Sequence, residues 1–274
     1  MRTKPQSIGV VITTYNSPKW LALVLTGYEC QDDKHFKILI ADDGSGASTR
    51  EVIDNYRERG VLNIEHYWQE DDGFQKNRIL NKVIANTDCD YLIFTDGDCI
   101  PRSDFIFAHR SYAQKGYFLS GGYFKLTQTV SDQVAEEEIV SQSIFHKEAL
   151  VAMGQPSSFK MNKLTTSAMR RSLLNWLTPT KATWNGMNSS TWTSSILEAN
   201  GFDERMKYGG EDRELGERLM NAGLKSKQVR YSAICVHLEH ARGYVDQEAL
   251  ALNREIRAET KKYKRVKTDH GIHN

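Results

Sequence analysis

The sequence predicts an α/β fold, a mostly parallel central sheet flanked by helices, on three observations. Three short segments, Ser7 to Thr14, Phe36 to Asp43 and Asp90 to Asp98, are apolar and β-branched almost without alternation, the composition of strands covered on both faces. Apolar stripes of helical period lie between them. Each strand then ends in polar residues, so ligand-binding groups collect along one rim, where open α/β sheets bind their ligands.

Taken in order, SIGVVITT is the first strand, and Trp20, Leu21, Val24 and Leu25 give the first helical stripe. FKILIADD is the second strand; Ile79, Leu80, Val83 and Ile84 mark the next helix, which leads to DYLIFTDGD. Strand, helix and strand in repetition make a doubly wound unit. Another strand is expected over 116–124, ending in Gly121-Gly122, followed by a polar stretch to about residue 183 that is partly helical from Asp132 to Leu150. Glu211 and Asp212 open a helix carrying Leu215, Leu219 and Met220, which ends at Gly223. A strand over Ser232 to Val236 runs into His237-Leu238-Glu239-His240. Val245, Ala249, Leu252 and Ile256 then stand at heptad-like spacing ahead of Lys261, Lys262, Lys264, Arg265 and Lys267. The expected organisation is one continuous domain with halves 1–124 and 125–243, and a basic helical tail over 244–274.

Thirty-six Lys and Arg balance 35 Asp and Glu to a net charge of +1, so no global field favours nucleic acid or a membrane, and any attraction to a charged partner is local. Four scattered cysteines without a CxxC pair point to reduced, mostly buried thiols. The opening MRTKPQSIGVV has no signal-peptide apolar stretch and no run approaches 18 apolar residues, so a cytoplasmic location is expected, with oligomeric state left open.

In DGDC, Asp96 and Asp98 end a buried strand, where two carboxylates need a positive partner; a divalent cation supplies one, and a plain DG turn is the alternative. Seven ordered blocks widen the context: VVITTYN, ILIADDGS, QEDDGFQKNRILN, FTDGDCIP, NGMNSS, GFDERMKYGGEDREL and CVHLEH. Together they resemble the family-2 inverting glycosyltransferases of GT-A fold. The later blocks resemble the galactosyltransferase-type acceptor region of bacterial capsule, lipopolysaccharide and chondroitin-polymerase-like enzymes.

The resemblance implies that residues 1–124 bind a UDP-sugar and that the half beyond them binds a glycan or lipid-linked glycan acceptor. A hexose or N-acetylhexosamine would pass to an acceptor hydroxyl of a surface polysaccharide or lipopolysaccharide precursor. It places Thr13, Tyr15 and Asn16 beside the nucleoside and Asp42 on the uracil N3–H, an Asx-type turn being the other reading of Asp42. Asp72, Gly73, Asp96 and Gly97 flank the donor; Lys76 and Arg78 face either the diphosphate or solvent. Asp98 and His237 hold Mn²⁺ or Mg²⁺, with His240 a further candidate. Asp212 is the general base, with Glu211 beside it, although acidic residues also suit a helix start for capping and dipole reasons. Trp184, Asn185, Gly186, Asn188, Tyr208, Gly209 and Gly210 line the acceptor side, Trp184 either stacking on a sugar or packing in the core.

The chain departs from the family pattern where Leu80 precedes Asn81 and where Tyr208 stands near an expected tryptophan. A non-catalytic sugar-binding relative and a sugar nucleotidyltransferase are the rival readings. The second lacks its glycine-rich opening here. The basic tail is expected either to touch an anionic membrane surface or to be a solvated helical end.

Overall fold

The structure, a computed structural model, describes residues 4–180, 182–240 and 246–273. Its first half runs β1 (Ile8–Thr14), α1 (Pro18–Glu29), β2 (Lys37–Asp42), α2 (Ala47–Glu58), β3 (Ile64–Trp68), α3 (Lys76–Asn86) and β4 (Tyr91–Asp96). It continues with β5 (Cys99–Pro101), α4 (Phe105–Tyr112), β6 (Tyr117–Ser120) and β7 (Gly122–Lys125). Short helices follow: α5 (Gln128–Gln133), α6 (Glu136–Val140), α7 (Lys147–Ala152) and α8 (Ala168–Leu177), with 3-10 turns at Ser143–Phe145 and Phe159–Leu164. The remainder is β8 (Ser189–Trp192), α9 (Thr193–Glu198), α10 (Glu211–Asn221), β9 (Lys225–Gln228), β10 (Ile234–His237) and α11 (Gln247–Lys262).

Seven strands form the main sheet in the order β3-β2-β1-β4-β8-β6-β9. The pairs β1–β2, β1–β4, β2–β3 and β6–β9 are parallel, and β8 runs antiparallel to both β4 and β6. The register sets Thr14 beside Asp42 and Thr13 beside Asp96, so the polar strand ends meet at one level. A smaller sheet, β5-β10-β7, lies beyond that edge and pairs His237 with Cys99. This pairing delivers the histidine of a late strand to the DGD turn.

One difference from the expected elements has a physical cause. The strand expected over 116–124 is split at Gly121, with β6 in the main sheet and β7 in the small one. A side chain at 121 would collide with Asn188. The stretch from Asp132 to Leu150 is partly helical, as expected, in short pieces, and Gln142 takes a left-handed φ of 60° between α6 and the 3-10 turn that follows it. Residues on both sides of position 124 share one core: Val10, Ile12 and Ile93 pack in the same cluster as Phe145, Leu164 and Val236.

The basic tail is packed onto the protein as α11, which lies against α10. Arg257 and Lys261 pair with Glu217 at 2.6 and 3.3 Å, and Arg265 pairs with Glu259 at 2.9 Å. These charges are engaged within the fold. Val245 lies outside the described residues. Among the described residues no helix is long and apolar enough to cross a membrane.

Candidate active site

The rim of the main sheet opens into a cleft of about 810 Å³, within the range of small-molecule sites. Its lining brings together Thr13, Tyr15, Gly73, Lys76, Asp96, Gly97, Asp98, Trp184, Asn185, Tyr208, Gly209, Gly210, Glu211, Asp212 and His237. Segments about 200 residues apart in sequence thus meet at one surface.

Asp96 and Asp98 serve different partners. Asp96 accepts from Thr13 Oγ1 at 2.7 Å and pairs with Lys76 Nζ at 2.9 Å. Burial opposes the charge on Lys76, but Asp96, Asp212 and Glu211 together keep its pKa well above the usual lysine value. Gly97 turns between the aspartates with its N–H on the Thr13 carbonyl at 2.8 Å, and a Cβ there would sit 2.9 Å from that oxygen. Only glycine fits so close an approach.

Asp98 faces two imidazoles. His240 Nε2 lies 2.8 Å from Asp98 Oδ2, and His237 Nε2 lies 3.6 Å from the same oxygen. The two rings stack with centroids 5.9 Å apart. Burial raises the Asp98 pKa, but the His240 hydrogen bond and the nearby His237 hold it below the usual carboxylate value. His237 Nδ1 is buried without a hydrogen-bond partner, an unmet need in an oxygen and nitrogen cluster suited to a divalent cation. Cys99 Sγ lies in the same group. Burial, the Cys235 contact and the Asp98 charge push its thiol well up, so it is a protonated donor to Asp98 and a poor ligand for a hard ion.

Asp212 sits in the first turn of α10. Burial, joined by Glu211 and Asp96 and opposed by Lys76, pushes its pKa up to about 7. Its Oδ1 is buried with no hydrogen-bond partner. Glu211 turns back to accept the Gly209 N–H at 2.7 Å. Gly209 and Gly210 take φ of +116° and +100°, and Asn253 of α11, fully buried, donates its amide to the carbonyls of Lys207, Tyr208 and Gly209 at 2.9, 3.3 and 3.2 Å. A Cβ on Gly186 would lie 2.5 Å from both Asp212 oxygens. Gly186→Ala is therefore expected to push the carboxylate aside. Its turnover should fall by up to about 10²-fold, the effect of misplacing a reacting group by an ångström, with little change in thermal midpoint. Steady-state kinetics beside a melting curve check this.

Several expected residues are elsewhere. Asp42 is buried; it accepts the Ser45 N–H at 2.8 Å and meets His66 Nε2 at 2.9 Å, so it belongs to a turn and not to the cleft. Asp43 lines the cleft instead, held by Gln69 Nε2 at 2.6 Å and the Gln75 N–H at 2.9 Å. Asn16 bonds the Gly46 N–H within the same turn, and Asp72 is exposed outside the cleft lining. Arg78 faces a separate small hollow with Glu204 and Lys82.

Asn188 is fully buried; its amide donates to the Gly122 and Ala233 carbonyls, and its oxygen meets His109 Nε2 at 3.0 Å. Trp184 borders the cleft but is 1% exposed, its ring against Phe94 and Phe118, so it is a core aromatic with no face for a sugar. Sequence reasoning gave less weight to His240 than its place beside Asp98 warrants. It missed Asp43, Tyr123, Lys163 and Arg230 in the lining. Only the three-residue step from His237 to His240 carried a usable signal.

The doubly wound sheet with an acidic rim, reached by a histidine strand, has the GT-A fold, and the family match makes it a transferase. The family described as "Glycosyl transferase family 2" matches residues 9–175, and "N-terminal domain of galactosyltransferase" matches 174–241. The chain belongs to glycosyltransferase family 2. It is 26% identical to an uncharacterized glycosyltransferase, YfnE, of Bacillus subtilis, over 84% of this chain and 64% of that protein. It is 22% identical to chondroitin synthase of Escherichia coli, over 85% of this chain and 34% of that one. The chain therefore spans less than two thirds of the length of these relatives. Among solved structures, Staphylococcus aureus TarS 1-349 in complex with UDP-GlcNAc shares the fold at TM-score 0.65 and 14% identity, covering 92% of this chain and 66% of that one. The mannosyltransferase PcManGT of Pyrobaculum calidifontis with GDP-Man and Mn²⁺ shares it at TM-score 0.58 and 15% identity, over 96% and 64%.

Proposed function

We propose that the chain is an inverting glycosyltransferase that moves a hexose or N-acetylhexosamine from a UDP-sugar to a hydroxyl of a glycan or lipid-linked glycan acceptor. Such an acceptor would be a surface polysaccharide or lipopolysaccharide precursor met in the cytoplasm. The observation that carries this reading is Asp212, a half-buried residue whose buried Oδ1 has no partner and whose pKa is pushed up to about 7, in the same cleft as Asp98 and its two histidines. A general base works best with a pKa near the working pH.

In the reaction the acceptor oxygen attacks the anomeric carbon from the side opposite the leaving group, while Asp212 Oδ1 takes the hydroxyl proton. The bond from the anomeric carbon to the diphosphate oxygen breaks, and UDP leaves with the electron pair. An α-linked donor thus yields a β-linked product. Asp98, His237 and His240 would hold Mn²⁺ or Mg²⁺, and the cation would supply positive charge for the diphosphate. Lys76 keeps Asp96 paired and adds positive charge close to Asp212. Asp43 is the carboxylate for the uracil N3–H, a donor that cytosine lacks, in place of Asp42. Tyr15, half exposed and bonded to Asp71 at 2.8 Å, offers a ring to the base.

UDP release measured with a panel of UDP-sugars and Mn²⁺ tests the reading. Release is expected with at least one, lost on chelation and restored by added cation. Release that is indifferent to chelation would remove the cation from the mechanism. Turnover of GDP-sugars alone would sink the assignment of Asp43.

A further inference from the structure

Between Glu148 and Glu198 the chain has no acidic residue, yet it carries Lys160, Lys163, Arg170, Arg171 and Lys181, in a protein whose net charge is +1. Within this stretch α8 is amphipathic in the sense opposite to a helix packed on a core. Its polar side is the docked one. Arg171 pairs with Asp104, and Asn175 donates to Ser232 Oγ at 2.9 Å and accepts the Tyr231 N–H at 3.1 Å. Its apolar stripe points outward: Met169, Leu173, Trp176 and Leu177, at i, i+4, i+7 and i+8, are 85%, 52%, 79% and 54% exposed. No residue of the helix is buried. Phe159, 86% exposed, stands in the adjacent turn, which Arg170 ties to α8 through Asn162 Oδ1 at 2.9 Å.

We propose that α8 and the Phe159 turn form a docking surface for an anionic lipid bilayer. A tryptophan with long aliphatic side chains enters the boundary between headgroups and acyl chains, while the exposed Lys160 and Arg170 beside them meet anionic headgroups. A second copy of the chain suits the charge less well, because a two-fold contact would set the same basic residues against each other. Lys163, Thr180 and Thr183 of this stretch also line the cleft. Docking by α8 would therefore hold the cleft close to the membrane surface, which suits the lipid-linked acceptor of the proposed function. The docking does not depend on which donor is used or on Asp212 as base.

The test is co-sedimentation of the full chain with vesicles of phosphatidylcholine alone, or in equal parts with phosphatidylglycerol. Binding to the anionic vesicles is expected, weakening with salt. The triple variant Met169→Ser, Leu173→Ser, Trp176→Ser should lower the bound fraction at least about tenfold, since it removes the inserted apolar face. Its circular dichroism spectrum and its UDP release with a soluble acceptor should match the unaltered chain. Trp176→Phe should keep binding. The proposal is overturned if the unaltered chain stays in the supernatant with anionic vesicles, or if the triple variant binds as well as it does. A dimer in sedimentation velocity that the triple variant dissociates would assign the face to a second copy and likewise overturn it.

Discussion

Asp212→Asn is expected to lower sugar transfer by about 10²- to 10⁴-fold, the usual contribution of a positioned base, while leaving the KM for the donor nearly unchanged. The amide keeps the size of the side chain but cannot take a proton. The structure also sets the pH dependence. Burial, with Glu211 and Asp96, raises the Asp212 pKa to about 7, so the carboxylate is protonated below that value and ready above it. Transfer should thus climb about tenfold per unit as pH rises toward 7 and flatten above it, and the acid limb should vanish in the Asn variant. Initial rates across pH, read as product glycan formed, check both statements. A variant that kept full rate and the same acid limb would move the base elsewhere.

Arg218→Ala should cost about 3–5 kcal/mol of stability, the usual penalty for breaking a buried ion pair by removing one partner. Arg218 is fully buried on α10, its Nη2 2.8 Å from Glu214 Oε2. The same guanidinium donates to the carbonyls of Ala199 and Gly201 at 2.6 and 2.7 Å, and Glu214 also accepts from Thr260 at 2.9 Å. Truncation would leave Glu214 charged in the interior and two carbonyls unpaired. Because α10 begins at Glu211 and Asp212, unfolding and loss of activity should run together. The double variant Arg218→Met, Glu214→Leu should recover part of the loss, since it removes the unpaired charge with apolar residues of similar volume but still leaves the Ala199 and Gly201 carbonyls without their donor. Urea denaturation of the three proteins decides it; equal midpoints for Arg218→Ala and the native chain would show that the pair contributes nothing.

The sequence announced β1, β2 and β4 because both faces of each are covered, which leaves an unbroken apolar run. It was silent on β8, whose Ser189, Ser190 and Thr191 are fully buried yet polar. Their need for partners is met from other elements, as when Ser190 Oγ meets Tyr91 OH and His109 Nδ1, both at 2.8 Å. Hydrophobic periodicity cannot find such a strand. β9, LysSerLysGln, lies at the edge of its sheet and is polar for that reason.

The same limit applies to the site. Asp98, Asp212 and His237 were legible as parts of ordered blocks. Asp42 and Asp43 are neighbours whose side chains leave the strand end in different directions, and sequence order does not say which one faces the cleft. Trp184 was open between sugar and core, and what decided it was the packing of Phe94 and Phe118, residues distant in sequence.

Asn253 has a meaning for how this protein can be divided. The two family matches end at residue 241, and α11 begins after them at Gln247. Yet the amide that grips the carbonyls of Lys207, Tyr208 and Gly209 comes from that helix. The border drawn by sequence kinship is thus not the border of the mechanical unit. A chimera that exchanged the segment up to residue 241 with a relative, and left the native tail behind, would pair one protein's Gly-Gly-Glu-Asp loop with another protein's clasp. Loop and helix have to be inherited together.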